Sequence, residues 1–192
     1  MSAAEFALPP SATPRQRILL TAHALFYRDG IRATGIDRVI AESGVAKATF
    51  YRHFPSKNDL ILAYLDHRHQ LWIEWFKGAL ARHGNTPRSL LAALAEWFGD
   101  PSFRGCAFIN SVGELAMEIP AIAALTRAHK QQMAEVIASL LPPGADRDID
   151  ARSLALAVDG AIVRAQSGEP LSATMASLER IVSALPIATH RH

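Results

Sequence analysis

Two short helical stretches joined by a glycine turn, within residues 34–59, constrain the fold of this chain more than any other feature. The first stretch, 36–43, carries apolar residues at helical spacing and runs directly into Gly44. The second stretch, 47–53, is rich in hydrogen-bond donors, and Pro55 ends it because proline cannot continue a helix. Two short helices around a tight glycine turn, the second carrying polar donors, predict a helix-turn-helix motif. We expect Gly44 to adopt a positive φ, so that valine at this position would damage the turn itself.

The chain is long enough for one compact domain or two small ones, at 192 residues, and 49% of them are hydrophobic. That hydrophobic share supports a buried core and excludes a disordered chain. The net charge of +2 is unevenly placed, since residues 1–59 hold eight Lys and Arg against five Asp and Glu, whereas 60–192 hold twelve against thirteen. The basic surplus coincides with the helix-turn-helix, where phosphate contacts would be needed, although so small a difference also fits ordinary charge scatter.

The single cysteine, Cys106, cannot form a disulfide within the chain, which fits the reducing cytoplasm. The N-terminus shows neither the basic segment nor the apolar segment of a signal peptide. No apolar run reaches the roughly 20 residues that a transmembrane helix requires. The sequence therefore predicts a cytoplasmic protein with no membrane partner.

Helical periodicity and helix breakers divide the chain into about nine helices with no convincing strand, so we predict an all-α fold. A helix opening at Pro14 ends at Asp29 and Gly30, and Ser56 is the expected N-cap of a long helix over 56–83. The remaining helices are expected at about 36–43, 47–53, 87–98, 103–117, 120–141, 147–167 and 172–185. A flexible arm is predicted at 1–13 and a frayed tail at 186–192.

The eleven residues 47–57, Lys-Ala-Thr-Phe-Tyr-Arg-His-Phe-Pro-Ser-Lys, resemble the signature of the TetR (tetracycline-repressor-like) family of bacterial transcription regulators. The resemblance is specific over about 14–65, and beyond that region mainly helix number and length match the family. It implies a three-helix DNA-binding domain with the helix-turn-helix at 14–56, after the arm at 1–13, and an effector-binding and dimerisation domain at 57–192. The implied partners are a double-stranded DNA operator, a small-molecule effector and a second copy of the chain.

The second helix of the motif supplies most of the candidate DNA contacts. A recognition helix must offer donors to phosphates and base edges, as Lys47 does at its start, and Thr49 adds a hydroxyl donor and a methyl group that can meet thymine. The resemblance places Tyr51 and His53 at the DNA backbone, and Lys57 adds positive charge beside a helix N-terminus. The complete candidate set is Thr34, Lys47, Ala48, Thr49, Tyr51, Arg52, His53 and Lys57.

Several residues in and around this motif have a second interpretation. Phe50 and Phe54 are predicted to lie in the core, and Arg52 either contacts DNA or faces solvent beside an acidic residue. Thr34 precedes the first motif helix and could cap it as well as touch phosphate, which matters because Gly35 stands where the family often has Ser or Thr. Further phosphate contacts are expected from Arg15 and Arg17.

Large apolar residues are abundant after residue 60, and ligand pockets are usually apolar and aromatic with a few polar groups. We therefore expect an effector pocket in this region, with ordinary helical core as the alternative for each aromatic residue taken singly. The candidate ligand-binding residues are Tyr64, Arg68, Trp72, Trp97, Phe103, Cys106, Phe108, Asn110, Glu114, Met117 and Met133, with Gln132 as a further polar candidate.

Cys106 lies in the pattern Gly-Cys-x-x-x-Asn-x-x-x-Glu at 105–114, which resembles one subset of TetR-like regulators. A position near a helix N-terminus, with Arg104 beside it, favours the thiolate. One hypothesis is therefore a repressor that senses electrophiles or oxidants through this thiol. The other is a small buried hydrophobic residue, as unpaired cysteines commonly are.

The last two predicted helices are rich in small and aliphatic residues, which suit close helix packing. The resemblance implies that this pair meets its twofold mate as a four-helix bundle, which makes the protein a homodimer. A twofold dimer would hold two recognition helices roughly 34–36 Å apart, so the operator should be an inverted repeat.

Metal, cofactor and catalytic sites are not expected, so the sequence does not predict an enzyme. His67 and His69 stand two residues apart, which points their rings to different sides of a helix. His190 and His192 lie in the tail, and nothing orders a nucleophile and a base.

The favoured function is a ligand-responsive transcriptional repressor. The alternatives are a helical small-molecule-binding protein or enzyme without DNA binding, a thiol-sensing repressor that uses Cys106, and a constitutive architectural DNA-binding protein without an effector.

Overall fold

The computed structural model describes residues 11–185, which form nine α-helices and no strand, so the predicted all-α fold is confirmed. The helices are α1 Pro14–Asp29, α2 Ile36–Ser43, α3 Lys47–His53, α4 Lys57–Arg82, α5 Ser89–Phe98, α6 Ala107–Leu115, α7 Ala121–Ala138, α8 Arg147–Gln166 and α9 Leu171–Ala184. Residues 1–10 of the predicted arm, and the predicted frayed tail with His190 and His192, lie outside the described residues.

Helix α1 begins with a complete capping box. The Thr13 side chain accepts a hydrogen bond from the Gln16 backbone N–H at 3.3 Å, and the Gln16 side chain accepts one from the Thr13 backbone N–H at 2.9 Å. Pro14 occupies the first turn, where its missing N–H costs nothing. Gly30 ends the helix at φ 91°.

The turn between α2 and α3 has the backbone that its sequence predicts. Gly44 adopts φ 64° and ψ 30°, the left-handed region, and its N–H donates to the carbonyls of Ile40 and Ala41. The predicted positive φ at Gly44 is confirmed. Only glycine adopts this conformation without strain, so a β-branched side chain there would destabilise the turn.

The hydrophobic centre of α1–α3 includes both phenylalanines of the motif. Phe50 and Phe54 are buried, with ring centroids 6.3 Å apart, and α1 packs against both α2 and α3. The prediction that these two rings lie in the core is confirmed. The buried apolar residues around them include Ile18, Ala22, Leu25, Val39 and Leu60.

Ser56 caps α4, as the sequence predicts. Its hydroxyl oxygen accepts from the Asp59 backbone N–H at 3.2 Å, and the hydroxyl donates to the Asp59 carboxylate at 2.7 Å. Helix α6 begins later than expected, at Ala107 rather than near 103, because Gly105 has a φ of 82° and breaks the helix. No helix of the described chain is long and apolar enough to cross a bilayer.

The chain divides into two compact units that alternate along the sequence. The first unit contains the described residues up to Leu71 together with Ala107–Thr126, and the second contains Trp72–Cys106 together with the described residues from Arg127 onward. In the second unit α9 packs against both α5 and α8. Its core includes Phe76, Leu90, Leu94, Ile137, Leu154, Val158, Ile162 and Leu178. The predicted domain division after residue 56 stays a prediction.

Candidate nucleic-acid interface and ligand region

The outer face of α3 presents most of the side chains that the sequence assigns to DNA contact. Burial of Phe50 fixes which side of this seven-residue helix faces inward. Lys47, Ala48, Tyr51 and Arg52 are exposed, and Tyr51 retains 41% of its surface. The two half-buried members of the set on this helix are Thr49 and His53. The face therefore combines two formal cations, two hydroxyl groups and an imidazole.

Lys47 makes only a weak contact inside the protein. Its Nζ lies 3.4 Å from Oδ1 of Asp37, and both side chains are largely exposed. Exposed ion pairs of this kind contribute roughly 0–1 kcal/mol to stability, so an incoming phosphate can replace the carboxylate at little cost.

Thr34 and Lys57 do not lie on the outer face of α3. Thr34 is buried and its hydroxyl donates to the Gly30 carbonyl at 2.8 Å, while the N-cap of α2 is Gly35 with no side-chain cap bond. The prediction that Thr34 caps α2 is therefore wrong, because its side chain turns toward the α1 end. Lys57 donates to the Ile31 carbonyl at 2.7 Å, and burial lowers the pKa of its ammonium group.

The two arginines near the start of α1 also contact the motif. The Arg15 guanidinium lies 5.2 Å from the centre of the Phe54 ring, and Arg17 Nη2 donates to the Gly44 carbonyl at 3.4 Å. Both arginines therefore stand beside the helix-turn-helix, and the Arg17 bond supports the turn.

Sequence reasoning missed Arg32, which joins the α1–α2 loop to α6. Its Nε and Nη2 donate to the Glu114 carbonyl at 3.1 and 2.7 Å, and Nη2 also pairs with the Glu118 carboxylate. Glu114, predicted to bind ligand, also accepts a weak bond from the Arg32 backbone N–H at 3.4 Å. No sequence signal marks this pairing, since the partners stand 82 residues apart.

A buried cluster of polar and aromatic side chains lies between α1 and α4 in the first unit. Arg68 of α4 is only 2% exposed, and its guanidinium carbon lies 4.1 Å from the centre of the Tyr27 ring of α1. Arg68 Nη1 is buried without a hydrogen-bond partner. The His23 ring is centred 5.4 Å from that of Tyr64 and 5.8 Å from that of His67. Two of these residues, Tyr64 and Arg68, belong to the predicted ligand-binding set.

Both imidazoles in this cluster are held neutral. Burial, followed by the charge of Arg68 and by His67, lowers the pKa of His23 from its ordinary 6.5 to about 2. Burial also lowers the pKa of His67. His23 was not among the predicted site residues, although its spacing from Leu19 and Phe26 places it on the buried face of α1.

The other predicted ligand residues of the first unit are dispersed along and after α6. Phe108 is buried with its ring edge-on to His69 at 6.3 Å, and Asn110 is half-buried. Met117 is 97% exposed, so its side chain does not line a buried pocket in this structure.

The second unit contains a dense aromatic cluster. The Trp72 ring stacks on Phe76, with the ring centroids 4.7 Å apart. The Trp72 centroid also lies 5.5 Å from that of Trp97 and 5.1 Å from that of His129. The centroids of Trp97 and Phe103 are 5.2 Å apart. The indole Nε1 of Trp72 is buried without a hydrogen-bond partner. Met133 is also fully buried in this unit. Four predicted ligand residues are thus buried in this unit, namely Trp72, Trp97, Cys106 and Met133, and Phe103 is half-buried beside them.

Cys106 is buried and has a cation beside it. Lys130 Nζ lies 3.5 Å from the sulfur and 2.6 Å from the Asp159 carboxylate, with which it forms an ion pair. The hypothesis of thiol sensing and that of simple core packing both stay open.

An open groove of about 430 Å³ runs along the second unit between α4 and α7. It is lined by Lys77, Leu80, Ala81, Asn85, Gln132, Glu135, Val136, Ser139 and Leu140, so Gln132 is the only predicted residue on its wall. Between residues 11 and 185, no group of three or more His, Cys, Asp or Glu side chains could hold a metal ion.

Helices α8 and α9 expose large apolar side chains to solvent. Leu156 is 74% exposed, and large apolar side chains left in water usually mark a contact surface when they occur together. The others on these two helices are Ile149, Val163, Leu171 and Ile181.

Comparison with known proteins places these features in one family. A sequence model described as "Bacterial regulatory proteins, tetR family" matches residues 18–64. The crystal structure of SCO4454, a TetR-family transcriptional regulator from Streptomyces coelicolor, is 33% identical, covers 95% of this chain and 95% of that one, and has a TM-score of 0.77. The sequence match thus covers the helix-turn-helix, and the structural match covers nearly the whole chain.

Two further proteins resemble the chain less closely. An uncharacterized HTH-type transcriptional regulator from Lactococcus lactis subsp. lactis is 25% identical over 109 residues. The match covers 56% of this chain and 56% of that relative, so the chain spans about half of the relative's length. A cysteine mutant of the TetR family transcriptional regulator CifR, solved with 26-base-pair operator DNA, is 18% identical with a TM-score of 0.74 and covers 93% of this chain and 100% of that one. At this identity, the similarity to CifR shows that the two chains share a fold.

Proposed function

This chain belongs to the TetR family of bacterial transcription regulators, and on that premise we propose that it is a repressor that binds an inverted-repeat operator as a homodimer and leaves it when a small molecule binds. The family indicates a non-enzymatic, DNA-binding regulator. The observation that supports the proposal most directly is the exposed, donor-rich outer face of α3 above a fully buried Phe50.

The outer face of α3 is suited to the major groove. Lys47 and Arg52 supply positive charge for phosphates or guanine edges, and Thr49 offers a hydroxyl and a methyl group. Ala48 is exposed, and its methyl group can contact the methyl of thymine. Tyr51 and His53 donate to backbone phosphates in this proposal. CifR, which has the same fold, was solved with operator DNA, and that complex supports DNA binding by a chain of this fold.

Thr34 and Lys57 have a different role in this proposal. Because their polar groups bond to the Gly30 and Ile31 carbonyls, they hold the α1–α2 loop in place under the motif. A direct phosphate contact by Lys57 would require its bond to Ile31 to break. We therefore assign these two residues to positioning, and the five polar residues of α3 to DNA contact.

DNA binding is tested by a salt-titrated mobility shift with the DNA upstream of the gene's own start. Lys47→Ala is expected to weaken binding on every fragment that the wild type binds, and to reduce the salt slope by about one, because one phosphate contact is lost. Tyr51→Ala should weaken binding as well. The control is Lys77→Ala, which removes an exposed lysine from α4 outside the motif. Unchanged affinity and salt slope in Lys47→Ala would contradict the proposed interface.

The dimer is proposed to form through α8 and α9. Leu156, with its high exposure, and the neighbouring exposed apolar residues leave these helices with surface that a second copy would cover. Leu156→Glu is expected to convert the dimer to a monomer in size-exclusion chromatography with light scattering, since a carboxylate would be buried without a partner. It should also weaken binding to the full inverted repeat far more than to one half-site.

The matched control for the dimer test is Ala124→Glu, which adds the same charge at an exposed position on α7. A Leu156→Glu protein that keeps the mass of a dimer would show that another surface joins the protomers, or that the chain acts as a monomer.

A further inference from the structure

Arg68 places a positive charge inside the first unit without a counter-charge. The residue is 2% exposed, its Nη1 is buried without a hydrogen-bond partner, and no acidic side chain in the described chain pairs with it. An arginine side chain stays charged at any pH at which proteins fold. Buried charges are ordinarily paired, because removing an ion from water is costly. The described part of the chain, residues 11–185, therefore supplies no charged partner for this guanidinium.

The neighbours of Arg68 do not supply that partner. The Tyr27 ring, 4.1 Å from the guanidinium carbon, attracts the cation, but one aromatic face offsets only part of the cost of desolvation. His23 and His67 are neutral, because burial lowers the pKa of both imidazoles. Asp66 stands two residues before Arg68 on α4, so its exposed carboxylate lies on a different side of the helix and does not pair with Arg68. Within the part of the chain that the structure describes, the cluster thus carries one unbalanced positive charge.

We propose that Arg68 binds the carboxylate of a small organic monoanion with an aromatic or apolar body, which is the effector of this regulator. The binding of a carboxylate at Arg68 does not depend on the proposed function, whereas calling that ligand the effector rests on it. A carboxylate matches the planar fork of a guanidinium, which can donate two parallel hydrogen bonds. The rings of Tyr27, Tyr64 and His23 around the charge suit a flat apolar body rather than a sugar or a polyamine.

A single negative charge fits this cluster better than a phosphate does. A phosphate monoester carries nearly two charges at neutral pH, and recognising it would require a second cation or several further donors. Among residues 11–185, Arg68 is the only cation in the cluster, since both imidazoles are neutral. The cluster therefore selects a monoanion.

The position of Arg68 connects this site to the DNA-binding helices. Arg68 lies on α4, whereas Tyr27 and His23 lie on α1, the helix that packs against α2 and α3. An anion that draws the guanidinium away from Tyr27 changes the α1–α4 contact directly. A ligand shifts a conformational equilibrium only when it binds one state better, and this contact is where the two states would differ.

The first test measures the ligand-free protein and needs no knowledge of the effector. If the Arg68 guanidinium has no counter-charge until a ligand binds, Arg68→Met removes an uncompensated buried charge from the ligand-free protein. The change should then raise Tm by several degrees, as replacing buried charges with apolar residues can do. If Arg68 instead serves the fold, the same change should lower Tm, and the proposal is overturned. Arg127→Met, at an exposed position on α7, is the matched control and should leave Tm unchanged.

The second test measures binding by isothermal titration calorimetry with benzoate, phenylacetate and hexanoate, with their primary amides and with inorganic phosphate. At least one acid is expected to bind the wild type tenfold or more tightly than its amide, and to lose that advantage in Arg68→Met but not in Arg127→Met. The proposal fails if no acid exceeds its amide, if Arg68→Met binds the acid as well as the wild type, or if phosphate alone binds. Both tests are made without DNA, so failure here is distinct from failure of the operator-binding proposal.

Discussion

Replacing Phe50 with alanine is expected to lower the free energy of unfolding by about 3–5 kcal/mol, because the ring is fully buried at the centre of the helix-turn-helix. Its loss removes apolar area from the core and leaves a cavity beside Phe54, whose ring centre lies 6.3 Å away. Alanine itself favours helix, so propensity does not contribute to the loss. The measurement is urea unfolding followed by far-UV circular dichroism.

Tyr51→Ala, one residue further along α3, is the matched comparison. Tyr51 is 41% exposed and packs edge-on against Phe50 at 5.3 Å, so its truncation should cost only about 1 kcal/mol. Tyr51→Ala should therefore remain folded and lose DNA affinity, whereas Phe50→Ala should lose both stability and binding. Equal unfolding midpoints for the two variants would mean that Phe50 does not hold the motif together.

The parts of this fold that the sequence predicts are the parts that depend on near neighbours. Gly44 takes its left-handed conformation because a two-helix turn needs one, and Ser56 caps α4 because Asp59 follows three residues later. The burial of Phe50 and Phe54 follows from helical spacing within α3 and its end. Each of these features involves residues within one or two helical turns, so the chain itself carries the information.

The parts that the sequence did not predict depend on pairs that are far apart in the chain. Arg32 finds the Glu114 carbonyl across 82 residues, and His23 meets Arg68 only because α1 packs on α4. Thr34 was expected at the start of α2, but its hydroxyl satisfies the Gly30 carbonyl instead. Helical periodicity predicts that the His23 side chain is buried, but it cannot predict that the charged Arg68 side chain lies beside it.

The folded chain is expected to lose stability in mild acid through His23. Burial, Arg68 and His67 together lower the pKa of His23 from 6.5 to about 2 in the folded state. Below pH 6.5 the unfolded chain therefore binds a proton that the folded chain excludes, so the stabilising effect is complete above pH 6.5 and declines as the pH falls. At about 1.4 kcal/mol for each pH unit, His23 alone lowers the free energy of unfolding by about 2 kcal/mol between pH 7.5 and pH 5.0.

The environment of His23 determines the sign of this effect. Among the described residues, Arg68, His67, Tyr27 and Tyr64 face His23, and none of these four is an acidic side chain of the Asp or Glu type. Burial lowers the pKa of His67 as well, so His67 acts in the same direction. His23→Gln keeps a polar side chain but cannot take up a proton, and it should flatten the dependence of urea unfolding on pH by about 2 kcal/mol over the same range.

His53→Gln makes the same change outside the buried cluster and should retain the wild-type dependence on pH. If His23→Gln also retains it, the acid sensitivity comes from other groups, and His23 is not kept neutral by its surroundings. If His23→Gln flattens it, the proton is excluded by burial and by the charge of Arg68. A carboxylate bound at Arg68 would then reduce the acid sensitivity of the wild type but not that of Arg68→Met, because it offsets the charge that opposes protonation of His23.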